Sequence, residues 1–317
     1  MKILFCAINS KYIHSTLAAW YLKRAVEKQD ASAVVLEATI NEKTDTVLAK
    51  ILSCDFDAIA FSTYIWNKNM VIELAKGVKE ATGKTVILGG PEVSYNAGEI
   101  LSLYSFVDYV VSGEGELPFE RIVKGDNKAD IEGLCYRKDC EIVVKAPYIS
   151  FVDPPFPYTQ DYLEALNGRI TYLETSRGCP YRCAFCLSGN TSPLRFFDLE
   201  KVKEDIIKVA NSGTQTVKFV DRTFNCKHDH AMAIWQFIKD NDNGVTNFHF
   251  EVSADLLNEQ EIELLKSMRP GLVQLEIGVQ STNPDTIREI HRTMDFDKLA
   301  EIVNKIHAGK NIHQHLD

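Results

Sequence analysis

The stretch TSRGCPYRCAFC, residues 175–186, places Cys179, Cys183 and Cys186 within eight positions. Thiolates are ligands for zinc and for iron–sulfur clusters, so the question is which of the two this spacing suits. Structural zinc takes four Cys or His ligands, usually as two close pairs. This loop has three, and Cys226 and His228 lie about forty residues further on. A ferredoxin-type cluster takes four cysteines. Three thiolates on a four-iron cluster leave one iron open to a substrate or cosubstrate. On this reading the missing fourth cysteine makes a coordination site.

Such a loop needs a scaffold, and the flanking sequence supplies one. RITYLET (169–175) reads as a strand that runs straight into the cysteines. Strand-like QTVKFV (215–220), TNFHFEV (246–252) and LVQLEIG (272–278) then alternate with helical segments beginning at Asp198, His230, Asn258, Asn283 and Asp295. Asp198 fits a helix N-cap, and Asn258 with Glu261 fits a capping box. NIHQHLD (311–317) starts a further strand. Successive βα units predict part of a (β/α) barrel, whose active site lies where strands meet the following helices. The cysteine loop falls at that edge. The chain stops as a strand begins, so the barrel is expected to be incomplete over 169–317.

The first half carries a second alternating pattern. KILFCAI (2–8), AVVLEA (33–38), DAIAFS (57–62), KTVILGG (84–90) and VDYVV (107–111) are short apolar runs separated by helical segments, one of them 67–82 with Asn67 as N-cap and Gly83 past its end. Continuous apolar strands between helices predict a doubly wound parallel sheet, here over 1–125. Ligands bind such sheets at the strand C-terminal ends. Those ends offer Ser62 and Thr63, then Gly89, Gly90, Pro91 and Glu92, then Gly113, Glu114 and Gly115. Each loop alone could be ordinary turn chemistry; three at one edge favour a ligand. The G-x-G-x-x-G fingerprint of dinucleotide sites is absent after the first strand. Residues 126–168 read as a hairpin, with its turn near Lys138 and Asp139, and then a linker containing Pro147, Pro154, Pro155 and Pro157.

Composition narrows the partners. The net charge is −9, from 35 Lys and Arg against 44 Asp and Glu, which argues against a nucleic-acid backbone as the main partner. No stretch approaches the ~20 apolar residues of a membrane span, and the N-terminal apolar run is too short for a signal peptide. A cytoplasmic protein is expected, with its eight cysteines as thiols or metal ligands rather than disulfides.

The C-x3-C-x2-C spacing, with Phe185 before the third cysteine, closely resembles the radical S-adenosylmethionine (SAM) superfamily. With LGGPE, SGEGE, the hairpin and the proline-rich linker, nearly the whole chain resembles the cobalamin (B12)-binding radical SAM enzymes. The resemblance implies a [4Fe-4S] cluster on Cys179, Cys183 and Cys186, whose open iron chelates SAM. Reduction of SAM then yields a 5′-deoxyadenosyl radical, which abstracts hydrogen from a substrate.

It also implies SAM contacts from Phe185, Asp221, Glu251, Ser253, Glu276, Gly278 and Gln280. Phe185 could instead be a core aromatic, and each strand-end carboxylate a cap or half of an ion pair. Arg222 departs from the pattern, which commonly has a second acid there, and this puts the role of Asp221 in question. Cobalamin would occupy the strand-end loops of the first domain. His14 stands where cobalt-ligating histidines occur in D-x-H-x-x-G, but Tyr12 and Leu17 replace the Asp and Gly. Cobalt without a strong protein ligand is therefore expected, with His14 the alternative.

The implied activity is methyl transfer to an unactivated carbon of a small-molecule substrate, with flavodoxin or ferredoxin as electron donor. Radical cyclisation or rearrangement is the alternative. A methylthiotransferase would need three further cluster cysteines in the first domain, where only Cys6 and Cys54 precede Cys135. A non-catalytic cobalamin sensor would not need the intact cysteine motif.

Overall fold

The apolar runs of the first half pair side by side in the computed structural model, which describes residues 1–188 and 193–317. The chain forms two compact units, Met1–Tyr162 and Leu163–Asp317. In the first, β1 (Lys2–Asn9), β2 (Ser32–Thr39), β3 (Ala58–Ser62), β4 (Thr85–Gly89) and β5 (Tyr109–Val111) are parallel. The hairpin β6 (Leu134–Lys138) and β7 (Glu141–Val143) adds antiparallel strands, giving the order β2-β1-β3-β4-β5-β6-β7. Strand side chains alternate between faces. Leu4, Cys6 and Ile8 of β1 therefore enter one apolar core, and Ile3 and Phe5 the other. The helices α1 (Leu17–Glu27), α2 (Thr44–Leu52), α3 (Lys68–Thr82), α4 (Pro91–Ser94), α5 (Ala97–Leu103) and α6 (Glu116–Lys124) connect them.

The order reverses between β1 and β3, and such a switch point opens a crevice at the strand ends. Asn67 sits under it. Its side chain does not cap α3, as its position suggests. Instead Nδ2 donates to the Ile8 and Ser62 carbonyls, 3.0 Å each, and Oδ1 accepts from the Tyr64 amide at 2.8 Å. The residue thus ties the ends of β1 and β3 together. Gly83 ends α3 in the left-handed conformation, φ 65°, as expected. Arg137 of β6 donates to the Val107 and Tyr104 carbonyls beyond α5, fixing the hairpin to the sheet.

The stretch that composition sets apart as a connection belongs in large part to this unit. Tyr148 runs beside the end of β5: its amide donates to Ser112 O, and Glu114 N donates to Tyr148 O, both at 2.9 Å. The unit continues to Tyr162, within α7 (Gln160–Leu166).

In the second unit β8 (Thr171–Leu173), β11 (Thr216–Phe219), β12 (Asn247–Val252), β13 (Val273–Ile277) and β14 (His313–Leu316) form one parallel sheet in sequential order, the arc of a (β/α) barrel. A short antiparallel ribbon, β9 (Ser176–Arg177) with β10 (Arg195–Phe196), brackets the cysteine loop. The helices are α8 (Leu199–Asn211), α9 (His228–Asp240), α10 (Glu259–Lys266), α11 (Pro284–Glu289) and α12 (Phe296–His307). Asp198 caps α8, and Asn258 with Glu261 forms the capping box of α10. One sheet face is apolar, with Phe219, Phe248, Phe250, Leu275 and Ile277 buried. Along the same strands the alternate positions are polar: Tyr172, Lys218, His249, Glu251, Gln274 and Glu276.

Candidate functional site

The loop between β9 and β10 carries the three cysteines, and its root is fixed by a buried polar cluster. Asp221 follows β11 and is 1% exposed. Its Oδ2 accepts the Thr175 amide at 3.0 Å, and its Oδ1 accepts the hydroxyls of Thr175, at 2.7 Å, and Ser176. His230 of α9 lies 3.1 Å from the Thr175 hydroxyl and packs on Phe196 of β10. Arg177 donates to Glu174 across the turn. These contacts hold both sides of the ribbon from which the loop springs.

Above that root, all three cysteines line one cavity. With them are Tyr181, Phe185, Arg222, Thr223, Glu251, Ser253, Glu276, Gly278, Gln280 and Arg292. Each wall is set by its strand. Glu251 and Ser253 follow from the alternation of β12, and Asn225, fully buried, clamps the Ser253 backbone through both its N–H and C=O at 3.0 and 2.9 Å. The Ser253 hydroxyl donates to Asp255. Glu276 ends the polar face of β13. Gln280 adopts φ 67°, rare for a residue with a side chain, and backbone strain of this kind gathers at functional sites. Phe185 is 55% exposed, which removes the core-aromatic alternative.

The three thiols share one wall of the cavity. All three are free of disulfides. Among the described residues no three His, Cys, Asp or Glu side chains converge to hold a single metal ion. A shared cavity with a soft donor set fits a larger inorganic group with an open position. Neither of the more distant candidates joins them. Cys226 does not line the cavity, and burial, then the nearby Cys179 thiol, pushes its thiol up to about 11. His228 is bonded through Nδ1 to the buried Glu261 at 3.0 Å.

Asp221 departs from the expectation of a SAM contact. It does not line the cavity, and its carboxylate is committed to Thr175 and Ser176. Arg222 lines the wall, and so do Tyr181, Thr223 and Arg292, which carry no sequence signal of their own, with Asn225 behind them.

In the first unit the expected ligand loops divide. Ser62, Thr63, Gly89, Gly90, Pro91 and Glu92 share the β3–β4 edge, where the Thr63 amide donates to Gly89 O at 2.7 Å. Gly90 has φ 102°, and a Cβ there would stand 2.6 Å from the Thr63 carbonyl oxygen, so this glycine lets two loops touch. Gly113, Glu114 and Gly115 are used differently. A Cβ on Gly113 would lie 2.3 Å from Tyr148 O; Glu114 accepts the Ser150 amide; Gly115 faces Leu22. Packing within the unit accounts for these three.

The rim has apolar members that composition hides. Tyr12, Ile13, Ile65, Trp66 and Tyr95 are exposed on the loops after β1, β3 and α4, and Trp66 stacks on Tyr64 at 4.5 Å. Exposed large apolar side chains on ligand loops mark a binding surface. The buried Thr63 hydroxyl has no hydrogen-bond partner among the described residues. Both observations fit a large ligand with an apolar face and polar edges. The His14 loop is held from below by Glu37, which accepts from Asn9, the Thr16 amide and Trp20.

The two units match two known domain families. Residues 3–123 match the B12 binding domain, and residues 173–312 match the radical SAM superfamily. The chain belongs to the radical SAM enzymes that carry a B12-binding domain. It is 27% identical, over 83% of its length and 42% of the relative's, to the 2-(S-pantetheinyl)-carbapenam-3-carboxylate methyltransferase of Streptantibioticus cattleyicolor. It is 26% identical to the cobalamin-dependent radical SAM methyltransferase TokK of Streptomyces tokunonensis, over all of this chain and 50% of that one. The fold matches the radical SAM methyltransferase TsrM of Kitasatospora setae, solved with cobalamin and a [4Fe-4S] cluster, with a TM-score of 0.81 at 16% identity, covering 99% of this chain and 66% of that one. The chain thus spans about half the length of the curated relatives it matches.

The loop-root cluster has a signature in pH. Burial outweighs four hydrogen bonds and raises Asp221 from 3.8 to about 6. Its native pKa lies above the unfolded one, so its contribution to stability is full in acid and is lost as pH rises through about 6. His230 opposes it: burial, then Lys227, lowers it from 6.5 to about 4, and its contribution is lost as pH falls through that window. Asp221→Asn removes only the first effect. Between about pH 4 and 6 the stability of the variant should rise more steeply with pH than that of the wild type, by up to about 3 kcal/mol. Urea unfolding at stepped pH measures this; parallel profiles would contradict it.

Proposed function

We propose that this chain is the cofactor-bearing part of an enzyme that transfers a methyl group to an unactivated carbon of a small molecule. The observation that carries the reading is the shared cavity: three unpaired thiols from one loop face Glu251, Ser253, Glu276, Gly278 and Gln280 from two strand ends. Bound together, a [4Fe-4S] cluster, SAM and cobalamin supply one-electron cleavage of a sulfonium and delivery of a methyl group. The residues provide placement. Cys179, Cys183 and Cys186 would hold the cluster. Arg222 and Arg292 offer cations to a carboxylate, while Glu251 and Glu276 offer anions to an ammonium or sulfonium. Phe185 gives an aromatic face for a nucleobase.

Cobalamin is assigned to the edge of β1, β3 and β4, with Ser62, Thr63, Gly89, Gly90, Pro91 and Glu92. Its apolar face would rest on the exposed side chains of the same loops. Methyl transfer is supported by the names of the two curated relatives, both methyltransferases. A flavodoxin or ferredoxin is the electron donor that such a cluster calls for, in a cytoplasmic setting. No helix among the described residues is long and apolar enough to cross a membrane.

Two experiments test the assignments. Replacing Cys179, Cys183 and Cys186 with Ala should abolish the visible absorption and bound iron of the anaerobically reconstituted protein. Replacing Cys135, buried in β6, and the exposed Cys140 should leave both unchanged. Full iron in the triple variant would defeat the cluster assignment.

The second concerns His14. Its loop lacks the flanking acid that orients a cobalt-ligating imidazole, so Co(II) cobalamin should bind without a nitrogen ligand from the chain. Electron paramagnetic resonance reads this, because an axial nitrogen splits each cobalt line into three. Triplets that vanish in His14→Ala would make His14 the ligand.

A further inference from the structure

The polar face of the barrel sheet contains two residues, Lys218 and His249, that the cofactor assignments leave unused. Glu251 and Glu276 are register partners on adjacent strands. Like charges placed directly opposite each other destabilise a sheet. Lys218, on β11, answers both: its Nζ lies 2.8 Å from Glu276 Oε2 and 3.3 Å from Glu251 Oε1. His249, its register partner on β12, stands 3.0 Å from Glu276 through Nε2. Burial, then Lys218, keeps this imidazole below its ordinary pKa and therefore neutral near pH 7.

The geometry separates these residues into two roles. Glu251 and Glu276 line the cavity with the three thiols, whereas Lys218 and His249 do not. All four side chains are at least seven-tenths buried, so solvent screens the cluster less than it would a surface pair. Without the lysine, the two facing carboxylates would repel each other and turn apart.

We propose that Lys218 is a positioning residue: from behind the cavity wall it holds the Glu251 and Glu276 carboxylates side by side, so that the wall presents both of them to the cationic groups of SAM. This rests on the placement of SAM in the cavity. The lysine touches no ligand; it acts through the two carboxylates. Its removal should therefore matter only while those carboxylates are present, which a merely structural lysine would not show.

Equilibrium dialysis of radiolabelled SAM against the anaerobically reconstituted chain tests this, with thermal unfolding recorded for every variant. Lys218→Met should weaken SAM binding about 10-fold, equivalent to about 1.4 kcal/mol. Lys218→Arg should restore most of it. In a Glu251→Gln, Glu276→Gln background the same Lys218→Met change should alter affinity by less than about 2-fold, because coupled residues are non-additive. Should Lys218→Met not fold, Lys218→Gln carries the same comparison. Wild-type affinity in the lysine variant, or an equal loss in both backgrounds, would overturn the proposal. Failure of the wild type itself to bind SAM would instead refute the cavity assignment.

Discussion

The carboxylate of Asp221 is the contact on which the cysteine site depends. A loop carrying three thiols can face one cavity only if its root is fixed, and among the described residues this buried acid holds the Thr175 amide, the Thr175 hydroxyl and the Ser176 hydroxyl together. It accomplishes this without a counter-charge, at a desolvation cost visible in its raised pKa. The same device recurs in the neighbouring wall, where the fully buried Asn225 clamps the Ser253 backbone. A rigid support for reactive ligands is what a site needs if metal geometry is not to drift.

Strand alternation does the rest. Phe219, Phe248, Phe250 and Leu275 occupy one face of the second sheet, so the opposite face is left to Lys218, His249, Glu251 and Glu276. The apolar side secures the sheet, and the polar side gains its chemistry from the same period of two. In the first unit the reversal between β1 and β3 creates the crevice, and Asn67 closes the strand ends beneath it.

Much of this was legible in the residues. The parallel strands, the barrel arc, the caps at Asp198 and Asn258 and the thiol loop follow from patterns a few residues long. What was not legible depends on contacts distant in sequence. Asp221 looks like any strand-end acid until Thr175 and Ser176, 46 and 45 residues away, are seen to occupy it. Asn67 fits a helix cap by position and is taken by Ile8 and Ser62 instead. Gly113 could open space for a ligand, yet that space is filled by Tyr148 from the proline-rich stretch. The charged face could have been read from FHFEV and VQLEI, where polar residues alternate with apolar ones, had the polar members been followed as well as the apolar.

The central claim is that three thiols and two strand-end carboxylates line one cavity, where a cluster and SAM would meet. Electron paramagnetic resonance of the reduced, reconstituted protein, recorded with and without SAM, tests it directly. If SAM binds at an open iron in this cavity, its addition will shift the cluster's spectrum. Identical spectra from a protein carrying its full complement of iron would contradict the account.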